Sequence, residues 1–387
     1  MILAELTKEI EQFKATIGLQ DFAIGVPQSD GAIDFKGKRL VDLASFDYLG
    51  LRTQKRLVRV LQEALAQRGL SATHPRLSGG GSFELERAEE SVAKFLGLQR
   101  ALAFTGRTQA TFSVLSAILN ESDVIFCNED IQLPCSDAAY LCNAQVCVLD
   151  THNMSEVGAA LERFKFARRR VLIAEGLTML TGAISPIPEL AVLLRRHGAY
   201  LVLDESIALG AIGTRGAGSS EGVLFGEELL AIIADCSYGL SSPLAFIGGP
   251  EPLIDLLRSR SKTFSNEIAP SPAIAGLIPD VLKVIEESSA QRRMIAARAA
   301  LLYRRLTAIG IQANGSGGPI LSIDFSSPSL AHSYAEGLFH RGFHVDVVSS
   351  HKSLNSQSSV RMIVNSLVSD TQLDNLAQAI EDISKRK

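Results

Sequence analysis

Leu229-Leu230-Ala231-Ile232-Ile233-Ala234 is an unbroken apolar run. Asp235-Cys236-Ser237-Tyr238-Gly239-Leu240-Ser241-Ser242-Pro243 follows it as a small, polar, turn-forming segment, before Leu244-Ala245-Phe246-Ile247-Gly248-Gly249. Six consecutive apolar residues predict a strand buried on both faces. In an open α/β sheet, the turn after such a strand is where ligand-binding groups are presented.

The turn lacks one residue type. A turn that held an aldehyde cofactor would carry a lysine, because a desolvated primary amine forms the Schiff base. No lysine occurs between Lys165 and Lys262, so no shift of register restores the nucleophile.

Working outward from this stretch, strand candidates at 101–104, 123–127, 145–149, 171–175 and 200–204 precede 229–234, with helical patterns near 108–119, 133–142, 155–163 and 187–197. This βαβ progression predicts an α/β fold with a mostly parallel sheet covered by helices on both faces. Toward the N-terminus, Leu3, Leu6, Ile10 and Phe13 fall at helical spacing and predict an amphipathic helix. Short strands are expected at 32–35 and 39–44, and helices at 54–67 and 85–96. Beyond Pro270 the composition is helical over 273–308, broken only by Pro279. A loop at 315–319, strands at 320–325, 343–348 and 360–364, and helices at 330–340 and from Thr371 then predict a smaller C-terminal α+β domain. The expected organisation is an N-terminal helix and arm (1–50), a large α/β domain (51–275) and the C-terminal domain (276–387).

The chain has 387 residues, 46% of them hydrophobic, which is enough to bury a sizeable core. A formal net charge of −4 leaves no basic footprint, so nucleic acid is not an expected partner. Five cysteines, an odd number without a C-x-x-C pair, argue against a disulfide framework or a structural zinc site and favour a reducing cytoplasm. No apolar run approaches the roughly 18 residues of a spanning helix, so no transmembrane segment is expected. The seven histidines do not gather at metal-ligand spacing.

Several segments carry candidate chemistry. Thr105-Gly106-Arg107-Thr108 lies between a strand and a helix, where N–H groups and hydroxyls can receive a phosphate; it is equally an N-cap. Arg107 there either helps an anion or pairs with a carboxylate. Asp204, at the end of a strand, is placed to hold a pyridinium nitrogen protonated, although aspartate is common at that position. Ser45 to Leu51, with Asp47 and Tyr48, reads as a strand-to-helix turn or part of a site. The glycine run at 79–81 either lets the backbone approach a ligand closely or is a connector.

Phe46–Gly50, Ala174–Leu190 and Leu203–Gly218 together resemble, in order, the α-oxoamine synthases. These are pyridoxal-phosphate (PLP) enzymes of the transferase fold type I that condense an amino acid with an acyl-CoA. The resemblance puts the Schiff-base lysine position at Ser237 or Tyr238 and the ring-stacking histidine near Gln132. The family's Asp-x-x-His pair reads Asp204 to Ile207, so of these groups only the aspartate is kept. Thr105 and Gly106 become cofactor-site residues, and Asp47 and Tyr48 become substrate contacts.

Within the family, Glu175-Gly176-Leu177-Thr178-Met179-Leu180-Thr181-Gly182 and Asp204-Glu205-Ser206 resemble most the non-catalytic long-chain base subunits of serine palmitoyltransferases. That implies a heterodimer with a catalytic α-oxoamine synthase subunit, PLP held by the partner and not covalently by this chain, and acyl-CoA and amino acid meeting at the shared interface. Thr263-Phe264-Ser265-Asn266 resembles a segment that reaches across to the partner's PLP phosphate, with Ser265 as donor and Asn266 in place of threonine; the alternative is a loop capping the next helix. Arg361 aligns with the arginine that binds the substrate carboxylate, or it is a structural ion pair. Three functions stay open: a non-catalytic subunit, a self-associating pseudoenzyme used for binding or regulation, and an enzyme with unorthodox chemistry.

Overall fold

The computed structural model describes residues 2–17, 25–128, 137–138, 140–315, 317–349 and 358–385. Its strands, in chain order, are β1 (Val26–Pro27), β2 (Ala32–Phe35), β3 (Lys38–Asp42), β4 (Arg100–Phe104), β5 (Val124–Cys127), β6 (Gln145–Val148) and β7 (Arg170–Glu175). They continue as β8 (Tyr200–Asp204), β9 (Leu229–Asp235), β10 (Ala245–Gly249), β11 (Ile320–Phe325), β12 (Phe343–His344), β13 (Asp346–Ser349) and β14 (Ser358–Ile363). The chain divides into two compact units: residues 51–178 with 184–292, and residues 1–50 with 179–183 and 293–387.

The first unit is built on a seven-stranded sheet in the order β4-β10-β9-β8-β7-β5-β6. Strands β9, β8, β7, β5 and β6 are mutually parallel, and β10 runs antiparallel to both of its neighbours. Alternation sends Ile125, Val171, Val202 and Ile233 to one face, packed with the helices Arg107–Ile118 and Glu251–Arg260. Phe126, Leu172, Leu203 and Ile232 go to the other, under Met154–Arg163 and Ile187–His197. This is the two-sided burial expected of a parallel sheet. The stretch Leu229–Gly249 is a hairpin: the apolar Ala245, Phe246 and Ile247 return as β10 and pair on both edges.

One helical expectation changes. The helix Pro272–Glu287 runs through Pro279, and the break comes at Ser288, whose hydroxyl donates to the Val284 carbonyl at 2.7 Å. The buried face of Ala273, Leu277, Ile278, Val281, Leu282 and Ile285 holds that helix against Phe83–Leu96 and Lys55–Arg68, outweighing the one N–H that proline removes. The same packing carries the boundary of the large unit to Arg292 rather than 275.

In the second unit the N-terminal residues belong with the C-terminal segment, since β12 joins β3 in the sheet β1-β2-β3-β12. The strand expected over 343–348 splits at Val345: Phe343–His344 pairs with β3, and Asp346–Ser349 with β14. The antiparallel sheet β11-β14-β13 packs on the helix Pro328–His340, which in turn packs on Asp370–Ser384. Leu3, Leu6 and Ile10 lie exposed on the helix Ile2–Ile17, while the side chain of Phe13 lies outside the described residues. Among the described residues no helix is long and apolar enough to cross a membrane, and no group of acidic, histidine or cysteine side chains could hold a metal ion.

Candidate functional site

Three adjacent parallel strands each end in an acid: β7 in Glu175, β8 in Asp204 and β9 in Asp235. The register pairs Glu175 with Asp204, so two carboxylates stand side by side at the carboxyl edge of the sheet. A cation is required there. It is supplied by Arg107, the first residue of the helix that follows β4, which sits on the far side of β10.

Arg107 Nε donates to Asp204 Oδ2 at 2.5 Å, and Nη2 donates to Glu175 Oε1 at 2.8 Å. The backbone N–H of Arg107 donates to Asp235 Oδ2 at 3.1 Å. The second oxygens are also used: Asp204 Oδ1 accepts from the Ser206 N–H at 2.9 Å and Asp235 Oδ1 from the Ser237 N–H at 2.8 Å. The Arg107, Glu175 and Asp204 side chains are only 14%, 9% and 4% exposed. Burial by itself lowers the Arg107 pKa, but the adjacent Asp204 and Glu175 carboxylates and the Tyr238 phenol outweigh it and hold the guanidinium above its ordinary value. Such a group stays charged and offers no lone pair, so it binds anions but cannot act as a nucleophile.

The start of the same helix is occupied by the chain's own acceptors. Thr105 donates twice to Gln109 Oε1, from its N–H at 2.9 Å and its hydroxyl at 2.7 Å. In the turn after β9, Ser237 is exposed and Tyr238 half-buried, and Tyr238 is the one near enough to act on Arg107.

In the second unit, Arg361 on β14 is buried, with Nη2 on Asp346 Oδ2 at 2.6 Å and Nη1 on the Met179 carbonyl at 3.0 Å. Its guanidinium lies 4.7 Å over the Phe46 ring.

The sequence profile of the family described as Aminotransferase class I and II matches residues 38–380, most of the chain. The chain belongs to this family. Among curated members, it is 26% identical to 8-amino-7-oxononanoate synthase 2 of Bacillus subtilis over 361 residues, 93% of this chain and 92% of the relative. It is 25% identical to the serine palmitoyltransferase of Caulobacter vibrioides over 356 residues, 92% and 88% of the two chains. The fold matches the solved Sphingomonas wittichii serine palmitoyltransferase with a TM-score of 0.89 at 19% identity, covering 99% of this chain and 97% of that one. These relatives place the chain among the α-oxoamine synthases of PLP fold type I.

The family is PLP-dependent, and the residues present do not fit that group. The Asp204 oxygen that would meet a pyridinium is taken by Arg107. The donors of Thr105 and the Arg107 N–H, which would meet a phosphate, are taken by Gln109 and Asp235. The turn supplies Ser237 and Tyr238 instead of an amine.

The structure thus brings Asp204, Thr105 and Gly106 into one neighbourhood, with Tyr238 beside them. It adds Glu175, Asp235 and Gln109, which sequence reasoning missed; the available signal was an acid closing each of three consecutive strands. Tyr48 is fully buried and Asp47 is 7% exposed. The fork of Arg361 is engaged by Asp346 and the Met179 carbonyl. Thr263 to Asn266 is not a loop but part of the helix Lys262–Asn266, capped by Ser261, and the Ser265 hydroxyl donates back to the Ser261 carbonyl at 3.1 Å. Gln132 lies outside the described residues.

Proposed function

We propose that this chain is the non-catalytic subunit of a heterodimeric α-oxoamine synthase of the serine palmitoyltransferase type. In this reading it assembles in the cytoplasm with a lysine-bearing partner that holds PLP and condenses L-serine with a long-chain acyl-CoA, a step toward sphingolipid bases. The observation that carries the reading is the cation over Asp204: it is Arg107, which cannot form a Schiff base, while the turn after β9 offers only Ser237 and Tyr238. The chain keeps the scaffold and its charge balance without the nucleophile. Asn266, exposed on the helix Lys262–Asn266, is the donor we assign to the partner's phosphate, because the Ser265 hydroxyl is turned into its own helix.

The test is co-expression with an intact α-oxoamine synthase, followed by affinity capture and an assay of serine-dependent CoA release. A stable one-to-one complex more active than the partner alone is expected, with no CoA release by this chain alone. Turnover by the isolated chain overturns the reading. A chain that pairs only with itself replaces it with the self-associating pseudoenzyme.

A further inference from the structure

We propose that Arg107 and Asp235 are a built-in replacement for the cofactor of this fold: the guanidinium stands on Asp204 in place of a protonated ring nitrogen, and the carboxylate stands at a helix start in place of a phosphate. This inference rests on the family and the geometry of one chain and does not depend on any partner.

The two ends are held by separate contacts. At the ring end, the planar guanidinium donates to Asp204 at 2.5 Å and to Glu175 at 2.8 Å, covering both carboxylates that β7 and β8 set side by side. At the phosphate end, one Asp235 oxygen accepts from the Arg107 N–H at the helix start at 3.1 Å, while the other closes a local turn on the Ser237 N–H two residues on at 2.8 Å. A helix start favours negative charge, and the helix Arg107–Ile118 is long enough for the effect. Gln109 closes the remaining donors of Thr105.

Charge explains why a replacement is needed. Two enclosed carboxylates without a cation are strongly unfavourable. The turn after β9 holds neither lysine nor histidine, and position 207 is isoleucine. Arg107 restores the balance from within, so the unit reaches its folded state without a ligand.

The experiment uses the full-length chain and pyridoxamine 5′-phosphate as the probe, since it has the same ring and phosphate but no aldehyde to decorate surface lysines. Thermal unfolding of the wild type with about 1 mM probe should show no rise in Tm, because a site already filled gains nothing from ligand. Arg107→Ala should melt on the order of 10 °C lower. Guanidinium chloride at roughly 20 mM, compared with equal sodium chloride, should recover several degrees in that variant and nothing in the wild type. Arg107→Gln, which keeps the length but not the charge, provides the same comparison if the alanine variant does not fold. A rise in wild-type Tm with the probe that Asp204→Asn abolishes would overturn the proposal, showing that Arg107 yields to the ring. A folded Arg107 variant indifferent to guanidinium overturns it equally.

Discussion

Arg107 and Asp204, 97 residues apart in sequence, meet at 2.5 Å between Nε and Oδ2, and the same guanidinium spans to Glu175 at 2.8 Å. The three charges are unequal in what their loss leaves behind. Arg107→Ala leaves two buried carboxylates facing each other, about 3 to 5 kcal/mol, whereas Asp204→Asn leaves Arg107 balanced by Glu175, about 1 to 2 kcal/mol. Urea denaturation of the two variants checks the order. Equal losses would mean that the guanidinium does not hold the carboxylates in place.

Ser237→Lys should not acquire a Schiff base. Ser237 is exposed and its N–H is tied to Asp235, while Asp204 is covered by Arg107. Restoring one group among several that act together restores little. Borohydride treatment with PLP followed by peptide mapping should find no preferential adduct at position 237; a stoichiometric adduct there would contradict the occupied site.

Gly182→Ala should destabilise the protein by about 2 to 4 kcal/mol. Gly182 has φ of +70°, and a Cβ there would come within 2.3 Å of the Ile320 carbonyl oxygen at the start of β11. Strain and collision act together, and the obstructing atom is backbone. The urea midpoint reports it. A neutral effect would mean that the Met179–Ala183 segment is not packed on β11.

Glu205 gives a pH signature. Burial pushes its carboxyl above the ordinary value, outweighing the hydrogen bonds from Ser219 and Ser220. A carboxyl whose folded pKa is raised contributes stability that is complete below its unfolded value, roughly 4.3, and is lost as pH rises through the folded value. Glu205→Gln removes that titration. The Tm of the variant minus that of the wild type should therefore become more positive from about pH 5 to about pH 8. A constant difference would contradict the raised pKa.

Leu6→Glu with Ile10→Glu should leave the stability of the isolated chain within about 0.5 kcal/mol, since both side chains are exposed. The same pair should weaken assembly with the proposed partner, measured by size-exclusion chromatography of the mixture. Unchanged assembly would show that the helix Ile2–Ile17 serves elsewhere.

What the sequence determined by itself was the class of fold and one missing group. Hydrophobic runs of strand length separated by helical periodicity leave few arrangements other than a helix-covered parallel sheet, and the absence of lysine between 165 and 262 holds in any register. What only the tertiary structure decided was which groups meet. Glu175, Asp204 and Asp235 looked like three unrelated strand ends, and become neighbours because β7, β8 and β9 are adjacent in the sheet. Arg107 reaches them only because β10 returns between β4 and β9, a strand whose two glycines and short apolar run gave little local signal. Electrostatic partnership depends on distances of a few ångströms, and sequence separation carries almost no information about distance once a chain has crossed a sheet.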